Sequence, residues 1–383
     1  MTIERSIIDA AARLRRNGES HLVATVVRVS GAAYRRPGAR MLLTHFRWLT
    51  GAASGGCLEG DIASNGWART RDGQPVVVTY DSRLPETADN DDVRSAFGLG
   101  CDGVIEVMLE RGNTPGRIDP LAVADECMRT QKRGAVVTVI HSRVSGVKVG
   151  QRVCVVSERE PKYDAFDEIL RVAMIADARA AIASGESSTR TYNTERGSVD
   201  VFIEAILPPP RVFVFGCGHD AVPLVTMVKT LGWDVSIVTG QARVSTQQRF
   251  HHADEILVGS PEEIADRINE CDRAVAVVMS HSLETDQQNL AMLLGSKARY
   301  IGVLGPRLRT AKLMADIGAG PDRRVHSGIG IELGAETPQE IALAITGEIQ
   351  TLLARAPLSS VRERITGRMP RITEAVLAAT VAS

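Results

Sequence analysis

The stretch VFVFGCGHDAVPL, residues 212–224, decides the fold of the second half of the chain. Its opening run of apolar residues predicts a strand that ends at Gly216, and Gly218 follows just before a predicted helix. Such glycines let the backbone turn sharply and let an anion approach the N–H groups at the helix start. With Ala221 in the third position, the stretch matches the G-x-G-x-x-A pattern of a dinucleotide-binding βαβ unit. We therefore expect a Rossmann-like fold here.

The rest of the second half has the alternation that this fold needs. Apolar strand patterns alternate with amphipathic helical patterns as far as a last helix near 338–355, which Thr337 and Pro338 begin as N-cap and first helical residue. Such alternation is typical of a parallel sheet covered on both faces. We predict a doubly wound parallel sheet over 212–356, with strands that include WDVSIVT (233–239), EILVG (255–259), AVAVVM (274–279) and YIGVLG (300–305).

The first half has a different pattern. A helix with Ile3, Ile7, Ile8, Ala11 and Leu14 on one face opens the chain, and a second helical pattern follows SGG (54–56). Most of the remaining patterns are strands, which predicts an α+β domain and an α/β class for the whole chain. The predicted boundaries are an N-terminal domain (1–206), a proline-rich linker LPPPR (207–211), the Rossmann-like domain (212–356) and a C-terminal tail (357–383). The predicted strands are 21–30, 40–45, 74–81, 104–110, 134–142, 149–157 and 199–206.

Composition excludes several classes of function. Of 383 residues, 44% are hydrophobic and 24% charged, and the net charge is −1, so neither nucleic acid nor an anionic membrane is an expected partner. No apolar run approaches the ~18 residues of a membrane span, and the charged N-terminus is not a signal peptide. The six cysteines form no C-x-x-C pair, which argues against a zinc ribbon. We expect a cytoplasmic protein with free thiols.

The crevice of the predicted sheet lacks one feature of a nicotinamide-binding site. An acidic residue should follow the second strand to bind the ribose hydroxyls, but Thr239, Gly240 and Gln241 stand there. Either Arg243 binds a 2′-phosphate, which would favour NADP, or the scaffold no longer binds a dinucleotide tightly.

Other loops at the same sheet edge offer polar side chains. His281 and Asp286 follow the fourth strand, and Arg307 and Glu332 lie in two later glycine-rich loops. His281 is either a structural residue or a ligand contact, and Asp286 either faces the crevice or caps a helix.

Cys57 in SGGCLEG (54–60) and Cys101 in GLGCDG (98–103) each stand beside glycines at the start of a predicted element. A helix N-terminus stabilises a thiolate, so Cys57 is a candidate nucleophile, soft-metal ligand or persulfide carrier, with Cys101 as its partner. The alternative is a small residue in a crowded turn. The other four cysteines lie within helix or strand patterns and are interpreted as packing residues: Cys127, Cys154, Cys217 and Cys271.

Seven motifs in order make the chain similar to a known family, the XdhC/CoxI family of molybdoenzyme accessory proteins. The resemblance spans roughly residues 20–350 and covers both halves. The motifs are GAAYRRPGARMLL (31–43), SGGCLEGDIA (54–63), DDVRSAFGLGCDGVIEVMLE (91–110), FGCGHDAVPL (215–224), MSHSLETDQQNL (279–290), YIGVLGPRLRT (300–310) and GIGIELGAETPQEIALAI (328–345).

This resemblance implies an XdhC/CoxI-type N-terminal domain and a C-terminal Rossmann domain that together bind molybdenum cofactor, assist its sulfuration and deliver it, as a chaperone, to a xanthine dehydrogenase or a related molybdenum hydroxylase. Cysteine desulfurase is a further candidate partner, and the chain is expected to form a homo-oligomer. Cys57 and Cys101 would contact the metal or its sulfur. The residues expected to bind the cofactor are Gly55, Gly56, Cys57, Glu59, Cys101, Gly216, Gly218, His219, His281 and Arg307, of which Gly216, Gly218 and His219 would face its phosphate.

The chain departs from the family pattern at three places. Thr239-Gly240-Gln241 replaces Asp-x-Arg, His251 replaces a proline, and Gly328 and Glu332 replace Pro and Asp. Two other functions therefore stay open. One is an NAD(P)-dependent oxidoreductase that uses His281 as acid or base, and the other is a docking protein for the molybdoenzyme with no ligand of its own. A maturation factor is favoured over a catalyst, and no catalytic residue is assigned.

Overall fold

The computed structural model describes residues 4–31, 35–54, 57–81, 94–95, 103–241 and 243–356. The chain forms two compact units. The first holds the chain up to Arg211 together with Gly232–Asp234 and Asp266–Ala274, and the second holds the rest from Val212 onward.

The first unit contains two sheets. Its helices in the described residues are α1 (Arg5–Arg16), α2 (Cys57–Arg69), α3 (Pro120–Thr130) and α4 (Glu168–Ser184). The first sheet has the order β3-β2-β1-β6-β4-β5 and the second the order β10-β11-β7-β8-β9. The strands are β1 (Leu22–Gly31), β2 (Arg40–Leu43), β3 (Trp48–Gly51), β4 (Val76–Asp81), β5 (Arg94–Ser95), β6 (Gly103–Arg111), β7 (Gly134–Ser142), β8 (Arg152–Val156), β9 (Lys162–Tyr163), β10 (Ser188–Thr194) and β11 (Gly197–Ile206).

Apolar faces and buried ion pairs join these two sheets. Val27 and Met108 of the first sheet pack in one buried cluster with Ile140 and Phe202 of the second. Apolar side chains that leave water in this way supply most of the stabilisation of such a core. The face predicted for α1 is confirmed for Ile7, Ile8, Ala11 and Leu14, which are all buried, while Ile3 lies outside the described residues.

Two arginine–glutamate pairs cross between the same sheets. Arg40 of β2 donates from both terminal nitrogens to Glu204 of β11, at 2.6 Å each, and Arg152 of β8 donates to Glu110 of β6 at 2.7 Å. The four side chains are at most 8% exposed. Burial alone would lower the pKa of Arg40, but the Glu204 carboxylate raises it above its ordinary value. Each pair neutralises charge that could not otherwise be buried.

From Arg211 onward strands and helices alternate. The strands are β12 (Arg211–Phe215), β13 (Asp234–Val238), β14 (Glu255–Leu257), β15 (Ala274–Val278), β16 (Tyr300–Val303) and β17 (Val325–Ser327). The helices are α5 (Ala221–Thr230), α6 (Val244–Arg249), α7 (Pro261–Asn269), α8 (Leu283–Leu294), α9 (Arg307–Ile317) and α10 (Pro338–Leu353). Their sheet has the order β14-β13-β12-β15-β16-β17, and the pairs β13–β14, β15–β16 and β16–β17 are parallel. The predicted Rossmann-like fold is confirmed. Its strand order reverses between β12 and β15, where such sheets form their ligand crevice.

Some elements differ from the prediction. A strand, β3, follows the strand predicted over 40–45, and β3, β10 and α4 were not predicted. Strand β10 consists of polar residues, because it is an edge strand that pairs only with β11 and is mostly exposed. Pro208, Pro209 and Pro210 lie outside any helix or strand but are buried, and Arg273 donates a hydrogen bond to the Pro208 carbonyl at 3.0 Å.

No helix in the described residues is long and apolar enough to cross a membrane.

Candidate functional site

The start of α2 is fixed by two buried polar residues. Ser54 donates from its backbone N–H and its hydroxyl to the two oxygens of Glu59, at 2.7 and 2.6 Å. The Ser54 hydroxyl also accepts a hydrogen bond from the Leu58 N–H at 3.2 Å. Glu59 is 2% exposed and Ser54 5%. These bonds work like a capping box, because they satisfy N–H groups that a helix start leaves unpaired. The Glu59 carboxylate therefore faces the turn that precedes it.

Cys57 is the first residue of α2. Its backbone lies at the helix N-terminus, where the helix dipole favours negative charge and so a thiolate. The predicted helix start is confirmed at this residue. Gly55, Gly56 and Cys101 lie outside the described residues, as does the side chain of Cys57.

Helix α2 runs along the first sheet in a defined direction. Near its C-terminal end, a Cβ added to Gly66 would lie 2.6 Å from Leu22, the first residue of β1. Nearer its start, Asp61 accepts a hydrogen bond from the hydroxyl of Tyr80 at 2.6 Å, close to the end of β4. Because β6 is antiparallel to both strands, the start of α2 lies toward the sheet end where β6 begins at Gly103.

The Asp61 carboxylate accepts hydrogen bonds from three side chains. Besides the Tyr80 hydroxyl, the donors are Asn65 and Arg69. Burial alone would raise the pKa of Asp61, but these three donors lower it below its usual range. Asp61 therefore fastens α2 to the sheet, and the charge that it carries is compensated.

In the second unit, the loop after β12 packs against the loop after β15. Gly216 has φ +139°, and a Cβ added there would lie 2.5 Å from the Met279 carbonyl oxygen. Only glycine allows this approach. The close contact of the two loops places the predicted Gly216–Gly218 turn at the point where the strand order reverses, as the sequence indicates.

His281 and Asp220 connect these two loops. His281 Nε2 lies 2.8 Å from Asp220 Oδ2. His281 has φ +64°, a left-handed conformation that is costly for a residue with a Cβ and that clusters at functional sites. Its side chain is 63% exposed. His219, the neighbour of Asp220, is exposed as well.

Asp286 fixes the loop that carries His281. It is fully buried and accepts hydrogen bonds from the Ser280 N–H at 3.2 Å, the Ser280 hydroxyl at 2.5 Å and Arg309 at 2.7 Å. The N-cap of α8 is Ser282. Asp286 is therefore neither a crevice ligand nor the N-cap, but a buried anion that joins the loop to α9.

The loops after β16 and β17 lie beside each other. A Cβ added to Gly328 would lie 3.5 Å from the Arg307 side chain, so Arg307 covers this glycine. Arg307 and Glu332 are both exposed.

Glu348, which the sequence patterns did not single out, holds the second of these loops. Its carboxylate accepts from the Gly330 N–H at 2.5 Å and the Tyr300 hydroxyl at 3.0 Å, and it lies 3.2 Å from His326 Nδ1. Burial alone would raise the pKa of Glu348, but these groups lower it. Glu348 could have been recognised in the sequence as a carboxylate on an otherwise apolar face of the last helix.

The cysteines outside the glycine motifs fall into two groups. Cys127 in α3 and Cys154 in β8 are buried, and burial raises their pKa values to about 12 and about 11, which confirms them as packing thiols. Cys271 is also buried, but in a turn after α7. The prediction for Cys217 was wrong, because this residue is half-buried in the glycine loop after β12 rather than within an element. Cys217 lies between Gly216 and Gly218, so it belongs to the loop and not to the strand before it or the helix after it.

The loop after β13 approaches Cys217. The Thr239 hydroxyl lies 3.7 Å from the Cys217 sulfur, and Arg249 donates to the Cys217 carbonyl at 2.6 Å. Arg243 is exposed, and its guanidinium hydrogen-bonds to the Gln241 side chain. Across the described residues, no group of three or more His, Cys, Asp or Glu side chains is arranged to hold a metal ion.

Known proteins share both parts of this architecture. Residues 212–349 match the family described as the XdhC Rossmann domain, and residues 14–81 match the XdhC and CoxI family. A Bacillus halodurans structure described as a xanthine dehydrogenase superimposes with a TM-score of 0.69 at 24% identity, over 93% of this chain and 98% of that one. At this identity the likeness shows the fold.

Two sequence relatives extend the comparison. The Escherichia coli (strain K12) protein YqeB, which is uncharacterized, is 25% identical over 167 residues, or 42% of this chain and 30% of its own length. A Bacillus subtilis (strain 168) protein, named as a probable xanthine dehydrogenase subunit, is 30% identical over 331 residues, which cover 86% of this chain and 92% of that protein. With this coverage and the two matched domains, the chain belongs to the XdhC and CoxI family.

Proposed function

We propose that this protein is an accessory factor that binds molybdenum cofactor, assists its sulfuration and delivers it to a xanthine dehydrogenase-type molybdenum hydroxylase. Family membership and the name of the Bacillus subtilis relative support the link to xanthine dehydrogenase. The observation that carries the proposal is the locked turn in which Ser54 and Glu59 fix the backbone of Cys57 at the start of α2.

The chemistry of this turn suits a sulfur-rich anionic cargo. Thiolates are soft ligands that bind molybdenum and can carry sulfur as a persulfide. The helix dipole at the start of α2 favours a thiolate on Cys57. We assign Cys57 to contact with the metal or its sulfur, together with Cys101, and Gly55 and Gly56 to the backbone that the cargo approaches. Glu59 acts as a positioning residue for this turn, because its carboxylate is bonded to Ser54.

In the second unit we assign cofactor contacts to the crevice loops. Gly216 and Gly218 provide the close backbone approach, and His219, His281 and Arg307 present exposed polar groups at the same sheet edge. The cofactor supplies the molybdenum and sulfur chemistry. The residues of this chain bind and orient it, in a homo-oligomer that works in the cytoplasm with a cysteine desulfurase as sulfur donor.

Cofactor retention tests the role of Cys57. Purified protein is loaded with molybdenum cofactor, and bound molybdenum is measured after gel filtration, alongside activation of a cofactor-free xanthine dehydrogenase. We expect Cys57→Ala to lose most of both signals and Cys271→Ala, which removes a buried thiol elsewhere, to keep them. Equal retention and equal activation by wild type and Cys57→Ala would remove Cys57 from the mechanism.

A second candidate function, an NADP-dependent oxidoreductase, is favoured by one observation. Arg243 is exposed just after β13, where a cation can receive a ribose 2′-phosphate. Fluorescence titration with NADPH and NADH tests it. Binding of NADPH that Arg243→Ala abolishes would support this function, and no binding at millimolar concentration would end it.

A further inference from the structure

The Asp220 carboxylate covers the glycine turn of the second unit. A Cβ added to Gly218 would lie 2.4 Å from Asp220 Oδ1, so this oxygen occupies the space directly over the glycine. In a dinucleotide-binding fold the second glycine of the motif is where the backbone must let the pyrophosphate approach. A carboxylate at this place carries negative charge where the negatively charged pyrophosphate would bind, so it repels pyrophosphate.

The carboxylate is held there by a chain of contacts. Its other oxygen, Oδ2, lies 2.8 Å from His281 Nε2. The preceding residue, Ser280, is bonded through both its N–H and its hydroxyl to buried Asp286, which is paired with Arg309. Since the backbone around His281 is anchored in this way, the Asp220 side chain cannot swing aside without losing a hydrogen bond.

The anchored carboxylate still has free acceptor positions. Within the described part of the chain, Asp220 receives a side-chain hydrogen bond only from His281. A carboxylate has about four lone-pair positions, so both oxygens can accept further bonds. The ligand group that fits two such acceptor oxygens is the edge of a planar ring that carries two adjacent N–H donors. The 2-amino-4-oxopyrimidine edge, which pterins and guanine share, is such a group.

We propose that Asp220, held by His281, makes the turn after β12 select the N–H donor edge of a pterin and reject pyrophosphate. The inference rests on the proposed function, because the choice of a pterin over guanine follows from molybdenum cofactor as the proposed cargo. It reverses the orientation expected from the sequence, in which the cofactor phosphate faces Gly218 and His219. The pterin ring, rather than the phosphate, then lies over the glycine turn.

Binding of three small probes to Asp220→Asn and wild type tests this proposal. Two like charges about 4 Å apart weaken binding at least about fivefold even at the dielectric constant of water. Asn removes that charge, so we expect inorganic pyrophosphate, measured by calorimetry, to bind Asp220→Asn at least about fivefold more tightly. Unsubstituted pterin, followed by its fluorescence, should bind about tenfold more weakly, because a charge-assisted hydrogen bond is lost. Guanosine, the third probe, tests whether the site prefers guanine or a pterin, since both carry the same 2-amino-4-oxopyrimidine edge.

Asp316→Asn on α9, an exposed aspartate, is the matched control and should leave all three affinities unchanged. Equal pyrophosphate affinity in wild type and Asp220→Asn would overturn the proposal, as would pterin binding that the substitution does not weaken. Guanosine binding tighter than pterin would overturn the choice of a pterin. Asp220→Ser gives the same readouts if the asparagine variant does not fold. Because no probe contains molybdenum, failure of the Cys57 retention test would leave this result standing.

Discussion

Glu59 is the residue whose local role is most sharply defined. Both of its oxygens bond to Ser54 in a buried turn. Glu59→Gln replaces one acceptor by an NH₂ group that faces the Ser54 donors, so we expect a loss of about 1–3 kcal/mol in the free energy of unfolding. Urea denaturation measures it. The exposed Glu160→Gln substitution is the control and should change stability by less than about 0.5 kcal/mol. A stable Glu59→Gln variant would show that the turn is held by other contacts.

Single residues also show what a sequence can and cannot reveal. Gly216 was identifiable because a glycine pattern between a strand and a helix has a known backbone requirement. Glu348 was not, since its three partners come from different segments and only folding brings them to α10. Asp220 appeared in the sequence merely as a variable position of the glycine motif. Its position over Gly218 depends on His281, 61 residues away.

At the scale of elements, two strand irregularities lie beside a group of charged residues in the first unit. The register shifts between Val26 and Arg28 in β1 and between Asp200 and Val201 in β11. Arg28 pairs with Glu106 of β6 and with Asp200. Bulges re-aim side chains in this way and are common near functional positions.

The same group of strands predicts how stability depends on pH. Burial alone would raise the pKa of Glu106, but His141, 2.9 Å away, and Arg28 lower it below the ordinary value of 4.5. A depressed carboxylate pKa stabilises the fold above the unfolded value, and this stabilisation is lost as the pH falls through the folded pKa. We expect Glu106→Gln to flatten the decline of stability below pH 4.5, as measured by denaturation at a series of pH values. An unchanged slope would contradict this assignment.

At the scale of the whole molecule, the two sheets of the first unit depend on the buried pair Arg40 and Glu204. Glu204→Gln leaves a buried guanidinium without its counter-charge, so we expect a loss of about 3–5 kcal/mol in the free energy of unfolding. The double substitution Arg40→Met with Glu204→Leu should restore most of it, because neither charge of this pair is then buried. Chemical denaturation of the wild type and of these two variants measures both effects. A double variant no more stable than Glu204→Gln would show that the pair also sets the geometry of the sheets.

The sequence by itself determined the Rossmann-like half, the start of α2 at Cys57 and the family, because these depend on local patterns of glycine, apolar residues and helix caps. Strand β10 escaped prediction, since a polar edge strand carries little of the apolar alternation that marks a strand. The tertiary structure alone decided the pairing of Arg40 with Glu204, the anchoring of Asp220 by His281 and the contacts of Glu348. Each of these joins residues from different elements, and their charges are compensated only after the chain has folded.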